Sequence, residues 1–259
     1  MKIAILYICT GKYTVFWDDF FLSCEKYFLK DSEKHYFVFT DGEISSFDNK
    51  RIHRIEQKNL GWPGNTLYRF KMFYGIKEKL ADFDYIFFFN ANCEFLTSIE
   101  TDFLPSKEEG IVVVQHPGFF NKTPDLFSYD RNPESKAFIP AGKGSYYICG
   151  GINGGHTLPY LNLIKSLNDA IEQDDSNGIV ALWHDESHIN KYIQDHPYKL
   201  QNPSYCYPEY WDIPFEKIIL IRSKDNYGGI DALRGLKKKK KKNILIEKIK
   251  GKICRLLSK

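Results

Sequence analysis

The sequence has no apolar run that approaches the ~20 residues of a membrane-spanning helix. It also lacks paired cysteines, because its six cysteines are scattered and none belongs to a Cys-x-x-Cys pair. We therefore expect neither a zinc knuckle nor a disulfide framework, but reduced thiols that act as small apolar side chains. The N-terminus lacks the small-residue cleavage site of a signal peptide, so we expect a first strand there and a cytoplasmic protein.

Positive charge is scarce outside one end of the chain. The formal net charge is +3, but residues 237–259 hold ten Lys, one Arg and one Glu. The other 236 residues carry 25 basic and 32 acidic side chains, a net charge of −7. Proteins that bind nucleic acid carry a basic patch on the folded domain. We therefore expect no nucleic-acid partner.

The C-terminal tail, residues 237–259, combines charge with an apolar stripe. After six consecutive lysines, Leu245, Ile249, Ile253 and Leu256 recur at spacings of four, four and three. This pattern predicts a basic amphipathic helix that lies peripherally on an anionic membrane surface. A disordered tail and a nucleic-acid contact are the alternatives.

Aromatic residues are abundant, at 16% of the chain, and can build a large core. Apolar runs predict strands at residues 2–9, 35–40, 51–55, 84–89, 111–115 and 218–221. Helical periodicity predicts helices near residues 16–27, 67–77, 158–172 and 185–194, with a break at 61–65. Residues 116–156, rich in Gly, Pro and Tyr, indicate irregular loops. Alternating strands and helices predict an α/β fold, a Rossmann-like mixed sheet with helices on both faces, over residues 1–236.

One strand ends in amides. The apolar run 85–89 stops at Asn90-Ala91-Asn92, and two polar side chains in i, i+2 register at the end of a buried strand indicate a site. Many nucleotide-sugar enzymes have a metal-binding Asp-x-Asp at such a position. This sequence has two asparagines instead.

The stretch WHDESHIN, residues 183–190, concentrates more potentially catalytic or metal-binding side chains than any other part of the sequence. His184 and His188 are spaced like a pair of zinc ligands on a helix, but Asp185 stands where that motif requires Glu. A polar helix start is the alternative for Asp185. Trp183 beside two carboxylates is suited to holding a sugar ring, and a carboxylate near an anomeric carbon can stabilise or attack it.

Two further stretches carry weaker signals. The glycine-rich run 150–155 matches neither a dinucleotide-binding nor a P-loop pattern, and indicates only tight backbone that a ligand can approach. His116 directly follows a predicted strand beside two aromatic residues. A packed loop histidine is the alternative, but this position favours ligand contact.

Taken together, these motifs resemble glycosyltransferase family 6, in an order that spans most of residues 2–205. The matching stretches are HYFVFTD (35–41), HPGFF (116–120), YDRNPES (129–135), AFIP (137–140), GG-x-x-GG (150–155) and WHDESHINKY (183–192). The resemblance implies a GT-A fold and a retaining transfer of galactose or N-acetylgalactosamine from UDP to the 3-hydroxyl of a terminal galactose. Several of these stretches also have a plain structural interpretation as core strand or shaped loop.

The resemblance also implies roles for individual residues. Glu186 is the expected catalytic residue, and His116, Trp183 and Glu186 are expected to bind the acceptor. The residues that the resemblance implies for donor binding are Tyr13, Arg69, Asn90, Asn92, Cys149, Gly150, Gly151 and Asp185. Glycine at 151 implies room for an acetamido group, hence UDP-N-acetylgalactosamine as donor, and His116 suggests an α1,2-fucose on the acceptor.

The asparagines depart from the Asp-x-Asp of the mammalian family members. Neutral amides lack the charge to retain a metal bound through phosphates, so we expect transfer without a metal or any other cofactor. Lys224, the region of Arg234 and the run 237–242 are then expected to supply positive charge to UDP. An inactive, lectin-like protein that has lost its metal site is the rival interpretation.

Overall fold

A computed structural model describes residues 1–46 and 48–236. Its strands are β1 (Lys2–Ile8), β2 (Glu33–Thr40), β3 (Ile52–Glu56), β4 (Tyr85–Phe89), β5 (Cys93–Phe95), β6 (Ile111–Gln115), β7 (Ile148–His156), β8 (Lys199–Gln201), β9 (Tyr207–Pro208) and β10 (Ile219–Ile221). Seven of them form one sheet in the order β3-β2-β1-β4-β7-β6-β8, and a smaller sheet has the order β5-β10-β9.

The large sheet is mixed. Strands β1 to β4 are parallel to one another, whereas β7 runs antiparallel between β4 and β6. The last strand, β8, is parallel to β6. Parallel strands need crossover connections, and helices provide them between β1 and β2 and between β3 and β4. The predicted mixed α/β sheet is confirmed.

Helices cover both faces of this sheet. They are α1 (Trp17–Tyr27), α2 (Gly61–Leu67), α3 (Arg69–Tyr74), α4 (Lys77–Leu80), α5 (Thr157–Ser176), α6 (Asp185–Tyr192) and α7 (Ile230–Leu233). Alternate residues of β1 point to opposite sides, so Ile5 packs with Phe20 of α1, whereas Leu6 packs in a second core with Phe70 and Leu163. Burial on both faces explains why the strands are almost continuously apolar.

The prediction of irregular structure over 116–156 is wrong for its last nine residues, which form the central strand β7. The prediction failed because a run of glycines is typical of loops, whereas these glycines lie in a strand whose neighbours leave no space for a Cβ. A Cβ at Gly154 would lie 2.1 Å from the Phe87 ring, and one at Gly155 would lie 2.4 Å from the Gly110 carbonyl oxygen. Glycine in a strand marks such a close approach.

Smaller differences concern element ends. The expected break at 61–65 lies within α2, where Trp62 has non-helical dihedral angles. The expected helix 67–77 is two short helices, α3 and α4, joined around Gly75. The strands β5, β8 and β9 were not predicted because two or three residues are too few to show a period.

The predicted amphipathic helix of the C-terminal tail lies outside the residues that the structure describes. Within those residues, none of the helices combines the length and the apolar character that crossing a bilayer requires.

Candidate active site

A cleft of about 450 Å³ lies where β1 and β4 end, bordered by Thr10 after β1 and by Asn90 after β4. In open α/β sheets, ligands bind outside the carboxyl ends of the strands. Ten of the twelve residues predicted for the site line this cleft: Tyr13, Arg69, Asn90, Asn92, Gly150, Gly151, Trp183, Asp185, Glu186 and Lys224.

The other two predicted residues are not among those that line the cleft. Cys149 is buried in β7 directly before Gly150. The His116 ring packs edge-on against Tyr147, with 5.7 Å between centroids, and its Nδ1 accepts a hydrogen bond from the Gly118 backbone N–H at 2.9 Å. Burial lowers the pKa of His116, and the Glu186 carboxylate opposes that shift. Substrate contact by Cys149 or His116 stays a prediction.

A tight turn brings Trp183 and the two acidic residues into the cleft. His184, just before α6, has a φ of +54°, which is strained for a residue other than glycine. Hydrogen bonds hold the turn on both sides, from the Leu182 N–H to Asp130 at 2.7 Å and from the Trp183 N–H to the Ser187 hydroxyl at 2.9 Å. Trp183 is 49% exposed, so its ring is free to meet a ligand.

The same turn argues against the zinc interpretation. His184 lies before the helix and packs against Trp62, with 5.3 Å between ring centroids. His188 is buried on the other side, with its Nε2 3.5 Å from a carboxylate oxygen of Asp174, and burial lowers its pKa to about 4. Throughout residues 1–46 and 48–236, no three His, Cys, Asp or Glu side chains are grouped so as to hold a metal ion.

Asp185 is a buried carboxylate, 1% exposed, opposite a single cation. The Arg69 Nη1 lies 3.1 Å from Asp185 Oδ2 and also donates to the Gly150 carbonyl oxygen at 2.7 Å. Neither Asp185 oxygen has a hydrogen-bond partner of good geometry among the described residues. Burial raises the pKa of Asp185 to about 7, although the Arg69 guanidinium opposes the shift. Buried acceptors are rarely left unpaired, so these oxygens are suited to accepting ligand hydroxyls.

Glu186 is held in one orientation by two donors. Its Oε1 accepts from the Tyr147 hydroxyl at 2.8 Å, and its Oε2 accepts from the Gly150 backbone N–H at 2.8 Å. Burial and the Glu186 charge raise the pKa of Tyr147 well above its usual range, so Tyr147 stays a neutral donor. A Cβ at Gly150 would lie 3.0 Å from the Glu186 Cβ, which explains the glycine. A half-buried carboxylate thus faces the cleft.

The two asparagines occupy different settings. The Asn90 side chain lies over the backbone of β7, since a Cβ at Gly151 would meet its Nδ2 at 2.3 Å. Asn92 is buried, and its Nδ2 donates to the Arg222 carbonyl oxygen at 2.7 Å. The Ala91 carbonyl oxygen between them accepts from the buried Tyr7 hydroxyl at 2.9 Å. The turn after β4 is therefore fixed on both sides.

Cations line the cleft beside these amides. The Lys224 Nζ lies 5.4 Å from the centroid of the Tyr13 ring. Burial lowers the pKa of Lys224, and the positive charges of Arg234 and Arg69 lower it further. The Arg234 guanidinium stacks on the Trp62 ring at 4.6 Å. Asn90 and Asn92 carry no negative charge to balance a divalent cation, and Lys224 and Arg234 add positive charge to the same cleft. Together these residues fit an anion such as a diphosphate.

Some lining residues were missed by sequence reasoning. They are Asn59, Trp62, Asn65 and Thr66, which come from the segment before and within α2. Asn65 connects this segment to the end of β1, because its Nδ2 donates to the Thr10 hydroxyl at 2.9 Å. The sequence shows an interruption of the helical pattern at Gly-Trp-Pro-Gly, but such an interruption alone does not indicate a binding site.

Comparison with known proteins agrees with this geometry. The sequence profile of glycosyltransferase family 6 matches residues 1–230. The chain is 35% identical over 236 residues to the O-antigen biosynthesis glycosyltransferase WbnI of Escherichia coli, and the alignment covers 89% of this chain and 99% of WbnI. It is 29% identical over 231 residues to the globoside α-1,3-N-acetylgalactosaminyltransferase 1 of Gallus gallus, with 86% of this chain and 66% of the relative aligned. It is also 29% identical over 223 residues to the histo-blood group ABO system transferase 1 of Rattus norvegicus, with 81% of this chain and 61% of the relative aligned.

The mixed sheet, with a cleft at its strand ends, is that of a GT-A glycosyltransferase. The chain belongs to glycosyltransferase family 6. The resemblance of its sequence motifs to that family is therefore confirmed. A nucleotide-sugar donor and a glycan acceptor follow from the family.

Proposed function

We propose that the protein is a retaining hexosyltransferase that moves N-acetylgalactosamine, or galactose, from UDP to the 3-hydroxyl of a terminal galactose. The product is an α1,3 linkage. The observation that carries the proposal is that one cleft holds both Glu186, oriented by Tyr147 and Gly150, and Asp185, whose oxygens have no hydrogen-bond partner among the described residues. The names of the relatives support the linkage, since one of them is an α-1,3-N-acetylgalactosaminyltransferase.

Each group has a role in this proposal. Sugar hydroxyls of the donor bind Asp185, and the diphosphate binds Lys224 and Arg234. As the bond between the anomeric carbon and the β-phosphate oxygen breaks, the cations stabilise the leaving UDP. The Glu186 carboxylate lies beside the sugar, where it stabilises the positive charge on the anomeric carbon, or attacks it in a double displacement. The acceptor 3-oxygen then forms the new bond to the anomeric carbon, and its proton passes to the β-phosphate oxygen of the leaving UDP.

Transfer is expected to proceed undiminished in excess EDTA, and added Mn²⁺ is not expected to raise it several-fold. The reason is that Asn90 and Asn92 stand in place of carboxylates, beside Lys224 and Arg234, the two cations proposed to bind the diphosphate. Initial rates with and without EDTA test this, with an Asp-x-Asp family member as the control that chelation works. Strict dependence on Mn²⁺ would contradict metal-independent transfer.

UDP-N-acetylgalactosamine is expected to be the better donor by kcat/KM, because the family resemblance puts position 151 beside the sugar C2, where a side chain larger than glycine would crowd an acetamido group. Gly151→Ala should shift the preference towards UDP-galactose. Since a Cβ there also meets Asn90 Nδ2 at 2.3 Å, Asn90→Ala is the matched control for displacement of that amide. A wild-type preference for UDP-galactose would contradict the donor assignment.

The acceptor is proposed to be a galactose-terminated glycan, with an α1,2-fucose next to the terminal galactose. A panel of such oligosaccharides with and without fucose, followed by linkage analysis of the product, tests both statements. The rival function is a lectin-like protein. It would bind these glycans without transferring sugar to any of them, and the oriented Glu186 carboxylate argues against it.

The basic tail is proposed to bring the enzyme to lipid-linked acceptors at an anionic membrane surface, since each lysine gains ~1 kcal/mol near such a leaflet. Co-sedimentation with anionic and neutral vesicles tests this, with a chain that ends at Leu236 as the control. If the full-length protein ignores anionic vesicles, the tail is not an anchor. If the shortened chain no longer transfers to soluble acceptors, the tail lysines belong to the active site.

A further inference from the structure

Asn92 joins the turn after β4 to the C-terminal part of the chain. Its Nδ2 donates to the Arg222 carbonyl oxygen at 2.7 Å, and the Arg222 backbone N–H donates to the Asn92 carbonyl oxygen at 2.8 Å. The pair extends the antiparallel ladder of β5 and β10, in which Cys93 faces Ile221. Asn92 is only 6% exposed, and its hydrogen bond to Arg222 is partly shielded from water.

The segment held in this way carries a cleft cation. The Arg222 side chain is itself anchored by Asp19 and by Glu94, whose Oε2 lies 3.3 Å from the Arg222 Nε. Ser223 follows, with its backbone N–H donating to Glu209 at 2.5 Å. Lys224 comes next and lines the same cleft as Asn92. Only Ser223 therefore separates Arg222, which accepts the Asn92 hydrogen bond, from a lysine beside the expected diphosphate.

We propose that Asn92 is a positioning residue whose side-chain N–H holds the Arg222 carbonyl, and thereby places Lys224 against the diphosphate of the donor. The inference rests on the proposed use of a UDP-sugar. It assigns Asn92 a role through its amide nitrogen, whereas the sequence suggested contact with the donor.

The chemistry of the side chain makes the inference specific. An ionised carboxylate only accepts hydrogen bonds. Aspartate at position 92 would set a negative oxygen against the Arg222 carbonyl oxygen and would attract Lys224 away from the phosphates. Both effects lower diphosphate affinity. An amide at this position is therefore needed for the cationic arrangement, and an Asp-x-Asp sequence would be incompatible with it.

Binding of UDP, measured by calorimetry in EDTA, tests the inference with four variants. Asn92→Asp is expected to weaken binding about tenfold or more, and Lys224→Met about a hundredfold. Because Asn92 acts through Lys224, the uncharged double variant Asn92→Leu/Lys224→Met should bind within about twofold of Lys224→Met alone. Added Mn²⁺ should not restore the affinity of Asn92→Asp. Asn92→Leu removes the donor without adding charge and should also weaken UDP binding.

The pH dependence separates positioning from a general loss of structure. A protonated carboxyl can donate, and burial raises the pKa of a carboxyl. The affinity ratio of wild type to Asn92→Asp should therefore fall towards pH 5, whereas the ratio to Asn92→Leu should stay constant. Asn90→Asp, which adds the same charge without touching the Arg222 carbonyl, is the matched control for the charge alone and should recover less affinity than Asn92→Asp over the same pH range.

Three results would overturn the inference. They are UDP affinity of Asn92→Asp within about twofold of wild type, additive losses in the double variant, or pH-independent loss in Asn92→Asp. In each of these cases, UDP binding by the wild-type protein would leave the proposed use of a UDP-sugar intact, so that only the role of Asn92 is contradicted. If the wild-type protein does not bind UDP, the proposed function fails first, and the inference fails with it.

Discussion

Replacing Glu186 by Gln is expected to lower turnover by about a thousandfold or more, while UDP binding stays close to that of the wild type. Gln has the same shape and can use both existing partners. Its carbonyl oxygen can accept from the Gly150 N–H, and its amide can donate to the Tyr147 hydroxyl oxygen, which also accepts. The variant therefore removes the negative charge and leaves the packing in place.

Turnover with a good acceptor and calorimetric UDP affinity together test the role of Glu186. Tyr147→Phe is the matched control, because it removes one donor to the carboxylate but keeps its charge. We expect Tyr147→Phe to lose far less turnover than Glu186→Gln. Near wild-type turnover in Glu186→Gln would show that Glu186 is structural, and the case for a catalytic carboxylate would fail.

Much of the large sheet was predictable because β1, β2, β4 and β6 are apolar runs of five to eight residues. The apolar run ending at Phe89 is buried on both faces, and such a strand has a clear signal in a single sequence. β7 was not predictable for the opposite reason. Gly154 and Gly155 are there because the Phe87 ring and the Gly110 carbonyl come too close for a Cβ, and that contact joins residues far apart in the chain.

The site divides in the same way. Asp185 and Glu186 were identified because they share one short motif, and the family resemblance gave them roles. The pairing of Asp185 with Arg69 was not visible, because it joins α6 to α3 across the cleft. The hydrogen bond from Asn92 to Arg222 spans an even longer stretch of chain. From the sequence, Asn92 could be interpreted only as the replacement of an aspartate in Asp-x-Asp. The structure adds that its side chain donates a hydrogen bond to the Arg222 carbonyl oxygen.

Asp185 is expected to control the pH dependence of donor binding. Burial raises its pKa to about 7, with Arg69 opposing and Glu186 adding to the shift. Below pH 7 the carboxyl is mostly protonated, and it then loses acceptor capacity for the sugar hydroxyls of the donor. As the pH falls through about 7, kcat/KM for the UDP-sugar should therefore fall, and it should level off above that pH.

Asp185→Asn tests this assignment with an isosteric side chain. At pH 8 the variant should lose about a hundredfold in kcat/KM for the UDP-sugar, since an amide offers weaker and fewer acceptor sites and leaves Arg69 without its counter-charge. Binding of UDP alone is the control and should change less. The acid limb of the wild-type pH profile should be absent from the variant. If that limb persists unchanged, another group titrates there, and Asp185 is not the acceptor for the donor sugar.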